Sequence, residues 1–203
     1  MSGYDPDAGH LALAFANTMN WHASPDPVEE LTSYQQLVEW SLQAGTLTEA
    51  EAGRLGRKAA ASGAGAERTR QRAIELREAI YRLFVAVSQN RRPDQADLSV
   101  VSQALRASVA HGQLQPAEDG FDWTWPEADE LERPLWPVAR AAVDLLRSDE
   151  LERVGQCADD RGCGYLFIDT TRNHSRRWCS MEACGNRAKA RRYYRRAQQE
   201  AET

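Results

Sequence analysis

All four cysteines of this 203-residue chain, Cys157, Cys163, Cys179 and Cys184, fall within 28 consecutive residues, and the first 156 residues hold none. Few folds accept that arrangement. Thiols acting as small hydrophobes would be spread through a core, and a redox dithiol needs only two cysteines, usually as Cys-x-x-Cys. Here five residues separate the first pair, four the second, and fifteen lie between the pairs. Four thiolates meet the tetrahedral preference of Zn2+ and leave no open position, so the pattern points to one structural zinc ion with all four as ligands. Reduced thiols agree with the rest of the chain. The opening MSGYDPDAGH lacks the basic and apolar blocks of a secretory signal, and no apolar run is long enough to span a bilayer. The expectation is a cytoplasmic protein without membrane association.

Between the pairs, Tyr165-Leu166-Phe167-Ile168 reads as a strand, residues 170–175 as a polar turn, and Arg176-Arg177-Trp178 as the return of a hairpin. His174 lies in that turn and reads as a solvent-exposed residue, not as a replacement ligand. No helix breaker follows Gly185-Asn186. A helix therefore starts at or just after Cys184, where the partial positive charge of its N-terminus favours a thiolate. Knuckle, hairpin and ligand-bearing helix resemble a treble-clef module. Its large aromatics are few (Tyr165, Phe167, Trp178 and Tyr193), so metal binding is expected to supply most of its folding free energy, on the order of 10 kcal/mol.

The net charge of −5 conceals an asymmetry. Residues 1–150 carry 14 Arg and Lys against 23 Asp and Glu, whereas nine basic residues and a single acid, Glu182, occupy the stretch from Arg172 to Arg196. On a helix over 186–199, Arg187, Arg191 and Arg195 line one face, while Arg192, Arg196 and Lys189 extend a neighbouring one. Arg172, Arg176 and Arg177 widen this surface from the hairpin. Asn186 adds a polar group at the helix start, where backbone N–H groups also favour phosphate. Such a surface suits the backbone of DNA. A solvated charge run is the plainer alternative, since arginine outnumbers lysine 23 to 2 in the whole chain. The clustering on a short, metal-stapled helix is what favours nucleic acid. One such helix rarely gives both affinity and selectivity, so a homodimer presenting two fingers is expected.

The acidic part reads as mainly helical. Thr32-x-x-Gln35 and Thr48-x-x-Glu51 are capping-box signals ahead of two helices, and SGAGA at 62–66 reads as a turn or mobile loop. Leu76, Ile80, Leu83, Phe84 and Val87 form the strongest amphipathic stripe. A helix over 94–110 should turn Leu98, Val101, Leu105 and Val109 inward. A short hairpin through Glu118-Asp119-Gly120 follows, and then a helix opened by Pro134. The fold class is thus mainly α with a small β-hairpin: a helical N-terminal domain over 1–150, then the four-cysteine zinc module over 151–203.

Cys184-Gly185-Asn186-Arg187 resembles the signature of the CGNR zinc finger. Leu166-Phe167-Ile168-Asp169, Arg176-Arg177-Trp178-Cys179-Ser180-Met181 and Arg187-Ala188-Lys189-Ala190 resemble the rest of that motif. Upstream, residues 11–18 (LALAFANT) are similar to the opening of the ABATE domain that usually accompanies this finger, and Pro137-Val138-Ala139 with Asp144-Leu145-Leu146 resembles its final helix. The resemblance implies a bacterial, stress-induced transcription regulator whose finger touches DNA. It places Cys157, Cys163, Cys179 and Cys184 at the ligand positions. One departure shows: the first pair encloses five residues where the family pattern has four.

A regulator needs an input. Asn17, Thr18 and Trp21 crowd polar groups and an aromatic ring into a short segment, and read either as the wall of a small-molecule effector pocket or as a helix cap with a core tryptophan. An enzyme is not expected, because the acidic part has no cysteine, no metal-spaced histidines, no Gly-x-Ser-x-Gly and no phosphate-binding glycine loop. Two further readings stay open: a thiol-based switch in which oxidation ejects zinc, and a zinc module that binds protein instead of DNA.

Overall fold

The structure, a computed structural model, describes residues 8–118, 120–126 and 129–201, the side chains at 196, 197 and 199–201 excepted. Its longest helix, α4 (Gly63–Ser88), is the spine of the body. The stripe read from the sequence is the reason: Leu76, Ile80, Leu83 and Phe84 are each at most 2% exposed. Around it pack α1 (Leu11–Ala16), α2 (Tyr34–Gln43), α3 (Glu49–Ala61), α5 (Gln95–His111) and α6 (Leu135–Leu146). Two short antiparallel ladders decorate the body. Strands β1 (Met19–Asn20) and β2 (Val28–Glu29) pair with each other, as do β3 (Gln113–Ala117) and β4 (Gly120–Thr124).

Several expectations shift in detail. Residues 63–66 are helical, not a loop, and the expected turn shrinks to Ser62, the single break between α3 and α4. A Cβ on Gly65 would lie 2.7 Å from Ser62 Oγ and 3.1 Å from Leu131 Cδ1, so the small residues let the start of α4 pack close, and tertiary burial overrides their weak propensity. The Thr48–Glu51 capping box forms as read, but α2 is capped by Ser33, with Thr32 bonded to Gln36. Near the end of α5 the inward position passes from Val109, which is exposed, to Ser108, whose hydroxyl donates to the Trp136 carbonyl. The 118–120 turn forms around Gly120, and Asp119 lies outside the described residues.

A helical turn over Asp149–Arg153 leads into β5 (Val154–Gln156), which pairs antiparallel with β6 (Leu166–Ile168). The hairpin of the cysteine segment is therefore this pair. The expected return strand at residues 176–178 does not form: β5 takes one edge of β6, and on the other the Leu166 backbone is bonded to the Asn17 side chain. Val154, Leu166 and Ile168 belong to the same buried cluster as the body helices. Beyond a π turn over Met181–Gly185, closed by Gly185 N–H donating to the Ser180 carbonyl at 3.0 Å, runs α7 (Asn186–Ala201).

Candidate metal centre

Strand β5 delivers Cys157, the loop ahead of β6 delivers Cys163, and the π turn carries Cys184 just before α7. Two glycines with left-handed backbone, Gly162 (φ 89°) and Gly164 (φ 70°), let the first knuckle turn. A Cβ on Gly162 would sit 2.5 Å from the Ala23 carbonyl oxygen, and one on Gly164 would sit 2.6 Å from Tyr81 Oη, so both also allow the knuckle to lie flat on the body. The segment after β6 is organised by Asp169. Its buried carboxylate accepts from Thr171 N–H (2.8 Å), Thr171 Oγ1 (2.6 Å) and Arg176 N–H (2.8 Å). Ala158 N–H donates to the Arg177 carbonyl at 2.8 Å and joins the two halves of the module.

The four Sγ atoms lie within 4.8 Å of one another. Cys163 and Cys179 are 3.8 Å apart and Cys179 and Cys184 3.5 Å, none of them at bonding distance. A zinc tetrathiolate with Zn–S near 2.3 Å has tetrahedral edges of about 3.8 Å, so the donor set fits the ion in number, softness and spacing. The fifth residue of the first knuckle does not prevent closure. Charge argues the same way. Hydrogen bonds from Cys163 and Cys179 hold the Cys157 thiol well below its usual range, while burial pushes Cys184 up to about 12. Four thiolates this close repel one another, and a divalent cation is what allows all four to be charged. The site is for one structural zinc ion, which braces the knuckles and supplies no open position for chemistry.

Around the ligands the arginines divide into two groups. Arg187 donates from Nη2 to Cys184 Sγ at 2.8 Å and from Nε to Asp159 at 3.3 Å. Arg191 meets Asp159 at 2.9 Å and pairs with Asp160, and Arg195 reaches Asp160 at 3.3 Å. The Asp159 side chain is fully buried. Burial pushes its carboxyl up, yet the Arg161 N–H and the neighbouring arginine outweigh this and leave it below the ordinary range. Arg176 lies over the Phe167 ring at 4.2 Å and donates to the carbonyls of Ile168, Trp178 and Cys179, so it braces the module from within. Asn186 donates to the Glu182 carbonyl at 3.2 Å and closes the helix start. Arg172, Arg177, Lys189 and Arg192 remain exposed with no carboxylate partner among the described residues. The Arg196 side chain lies outside the described residues. His174 is exposed in its turn, as read.

The three residues considered for an effector pocket are used differently. Asn17 donates to the Leu166 carbonyl and accepts from the Leu166 N–H, both at 2.9 Å, so it clamps the zinc hairpin to the body. Trp21 stacks under the guanidinium groups of Arg161 (5.0 Å) and Arg187 (5.3 Å) and belongs to the knuckle. Thr18 caps α1 through the Phe15 carbonyl and also lines a recess of about 220 Å³ with Glu29, Glu30, Glu39 and Trp40. Asp159 and Asp160 escaped the sequence reading because they counted only as spacer between ligands. Two consecutive acids between the first two ligands, in a module rich in arginine, were the available signal.

No curated protein matches the chain. A family model described as "Putative stress-induced transcription regulator", ABATE, matches residues 9–149, and a model of the CGNR zinc finger matches residues 153–197. The body, clamped through Asn17 to a four-cysteine centre, carries the first of these and the centre carries the second, so the chain belongs to the ABATE family and bears a CGNR zinc finger.

Proposed function

We propose that the chain is a DNA-binding transcription regulator in which the zinc finger touches DNA and the helical body supplies regulation. The observation that carries this reading is the sorting of charge on α7. Arg187 and Arg191 turn inward to the buried Asp159 and Arg195 meets Asp160 at the rim, while Lys189 and Arg192 on the helix and Arg172 and Arg177 on the segment before it stay exposed. A surface of unpaired cations on a metal-braced helix finds its natural counter-charge in phosphate. The fuller proposal includes a homodimer, which would double a small contact surface, and a cytoplasmic setting that keeps the thiols reduced. An effector would enter the recess beside Thr18, whose size suits only a small molecule.

The test is fluorescence anisotropy of the zinc-loaded full-length chain with labelled duplex DNA across a salt series. With the four exposed cations each neutralising a phosphate, log affinity should fall with log salt at a slope of about −4. Absence of binding at low salt to both this duplex and a single strand would refute the DNA reading and favour a finger that binds protein.

A further inference from the structure

Two side chains on α7 are not explained by phosphate. Tyr193 and Tyr194 are 71% and 66% exposed, and their rings meet edge to face with centroids 5.9 Å apart. Large rings left in water on a highly polar helix forgo the burial that ordinarily accounts for their presence. They cannot simply roll into the finger, because the pairs from Arg187 and Arg191 to the buried Asp159 fix the rotation of the helix. By helical spacing Tyr193 shares the outward side with Lys189 and Arg192.

The partner must therefore offer flat apolar faces and negative charge together. A duplex offers the charge but keeps its bases stacked on one another. A second copy of this chain, docked by a two-fold axis through this patch, would set Lys189 and Arg192 against their own kind. A strand with unpaired bases offers both requirements, a phosphate backbone for the cations and a ring face at every nucleotide for the tyrosines.

We infer that the finger binds single-stranded or locally melted nucleic acid in preference to intact duplex, with Tyr193 and Tyr194 stacking on bases and Lys189 and Arg192 on the backbone. This rests on the nucleic-acid reading of α7 and specifies its partner. Stacking is tolerant of sequence, so the preference is for strandedness, and any sequence selectivity comes from elsewhere.

The experiment uses the zinc-loaded full-length chain and three labelled probes: an oligothymidylate of about 16 nucleotides, an oligouridylate of the same length and a duplex of matched phosphate count. Wild type should bind a single strand more tightly than duplex, the two oligomers separating DNA from RNA as the source. A Tyr193→Ala/Tyr194→Ala variant should lose roughly 10- to 100-fold in single-strand affinity, with duplex affinity within about twofold and the salt slope unchanged. Tyr193→Phe/Tyr194→Phe should retain the affinity, since the ring face and not the hydroxyl makes the contact. Both variants alter exposed positions, and equal zinc content with an unchanged circular dichroism spectrum verifies folding. Wild type that binds duplex as tightly as single strand, or an alanine variant with no selective loss, overturns the inference and leaves the DNA reading standing. Dissociation of a wild-type dimer by the alanine pair, without loss of affinity, overturns it in favour of a protein interface. Failure of wild type to bind any probe at low salt removes both.

Discussion

Asn17 holds Leu166 by both halves of its amide, although 149 residues separate the two. The first helix of the body thereby supplies the missing partner for the inner strand of the zinc hairpin. Asn17 is 9% and Leu166 0% exposed, so neither hydrogen bond has water as a substitute. Asn17→Ala strands a buried N–H and a buried carbonyl and should cost about 2–4 kcal/mol. Asn17→Asp should not rescue it, because a carboxylate would face the Leu166 carbonyl. Urea unfolding of the zinc-loaded chain measures the loss, and a change below about 0.5 kcal/mol would show that the clamp is incidental.

Chelation should split the module. Strands β5 and β6 place Val154, Leu166 and Ile168 in the body core, whereas α7 adjoins the rest through Cys184 and the arginine pairs to the knuckle. The sequence suggested that metal supplies most of the folding free energy of the whole segment. The packing confines that dependence to the knuckles and α7. Hydrogen exchange after zinc removal should show rapid loss of protection over 179–195, with α1, α4 and β6 still protected. Uniform loss across the chain would mean that the hairpin also depends on the ion.

Acid should unfold the body through one buried ion cluster. Arg77 is 0% exposed, with Glu29 bound to both terminal nitrogens at 2.5 and 2.7 Å and Glu78 at 3.0 Å. Burial pushes the Glu29 carboxyl up, but its bonds to Arg77 outweigh this and leave it below the ordinary range. Glu78 is depressed against its own burial by His22 and Arg77. A depressed folded value means that the contribution is complete above the unfolded carboxyl pKa, about 4.3, and is lost as pH falls through the folded values. The melting temperature should therefore hold from pH 7 to about 5 and drop below about 4. Glu29→Gln should flatten that drop and lower stability at neutral pH by about 3 kcal/mol, because it leaves a buried guanidinium short of charge.

Those residues show where sequence legibility ends. The four ligands and the amphipathic stripe of α4 could be read because each follows from spacing along one segment. The clamp of Asn17 on Leu166, the stacking of Trp21 under Arg187 and the pairing of Arg191 with Asp159 join segments distant in sequence. No local period encodes such contacts. The same limit explains the reassigned hairpin: Arg176-Arg177-Trp178 reads as a return strand until β5, upstream of the first cysteine, and the Asn17 side chain take the two edges of β6. It also explains why the arginines read from the sequence as one surface divide into inward and outward groups, since only the fold reveals where the knuckle acids lie.

Asp160 offers a test of that division. Its side chain is 52% exposed and pairs with Arg191 and Arg195, so it acts as a resident substitute for phosphate at the rim of the basic surface. Exposed pairs of this kind contribute little stability, so Asp160→Asn should change unfolding free energy by no more than about 0.5 kcal/mol. It should, however, release positive charge toward an incoming strand and steepen the salt dependence of DNA affinity by about one unit of slope. Asp159→Asn provides the contrast. That carboxylate is buried between Arg187 and Arg191 and fixes the rotation of α7 relative to Cys184. Its loss should speed zinc release to a chromogenic chelator and weaken binding even though it too removes a negative charge. If both variants raised affinity alike, the inward arginines would be ordinary phosphate contacts and α7 would need no bracing by the knuckle acids.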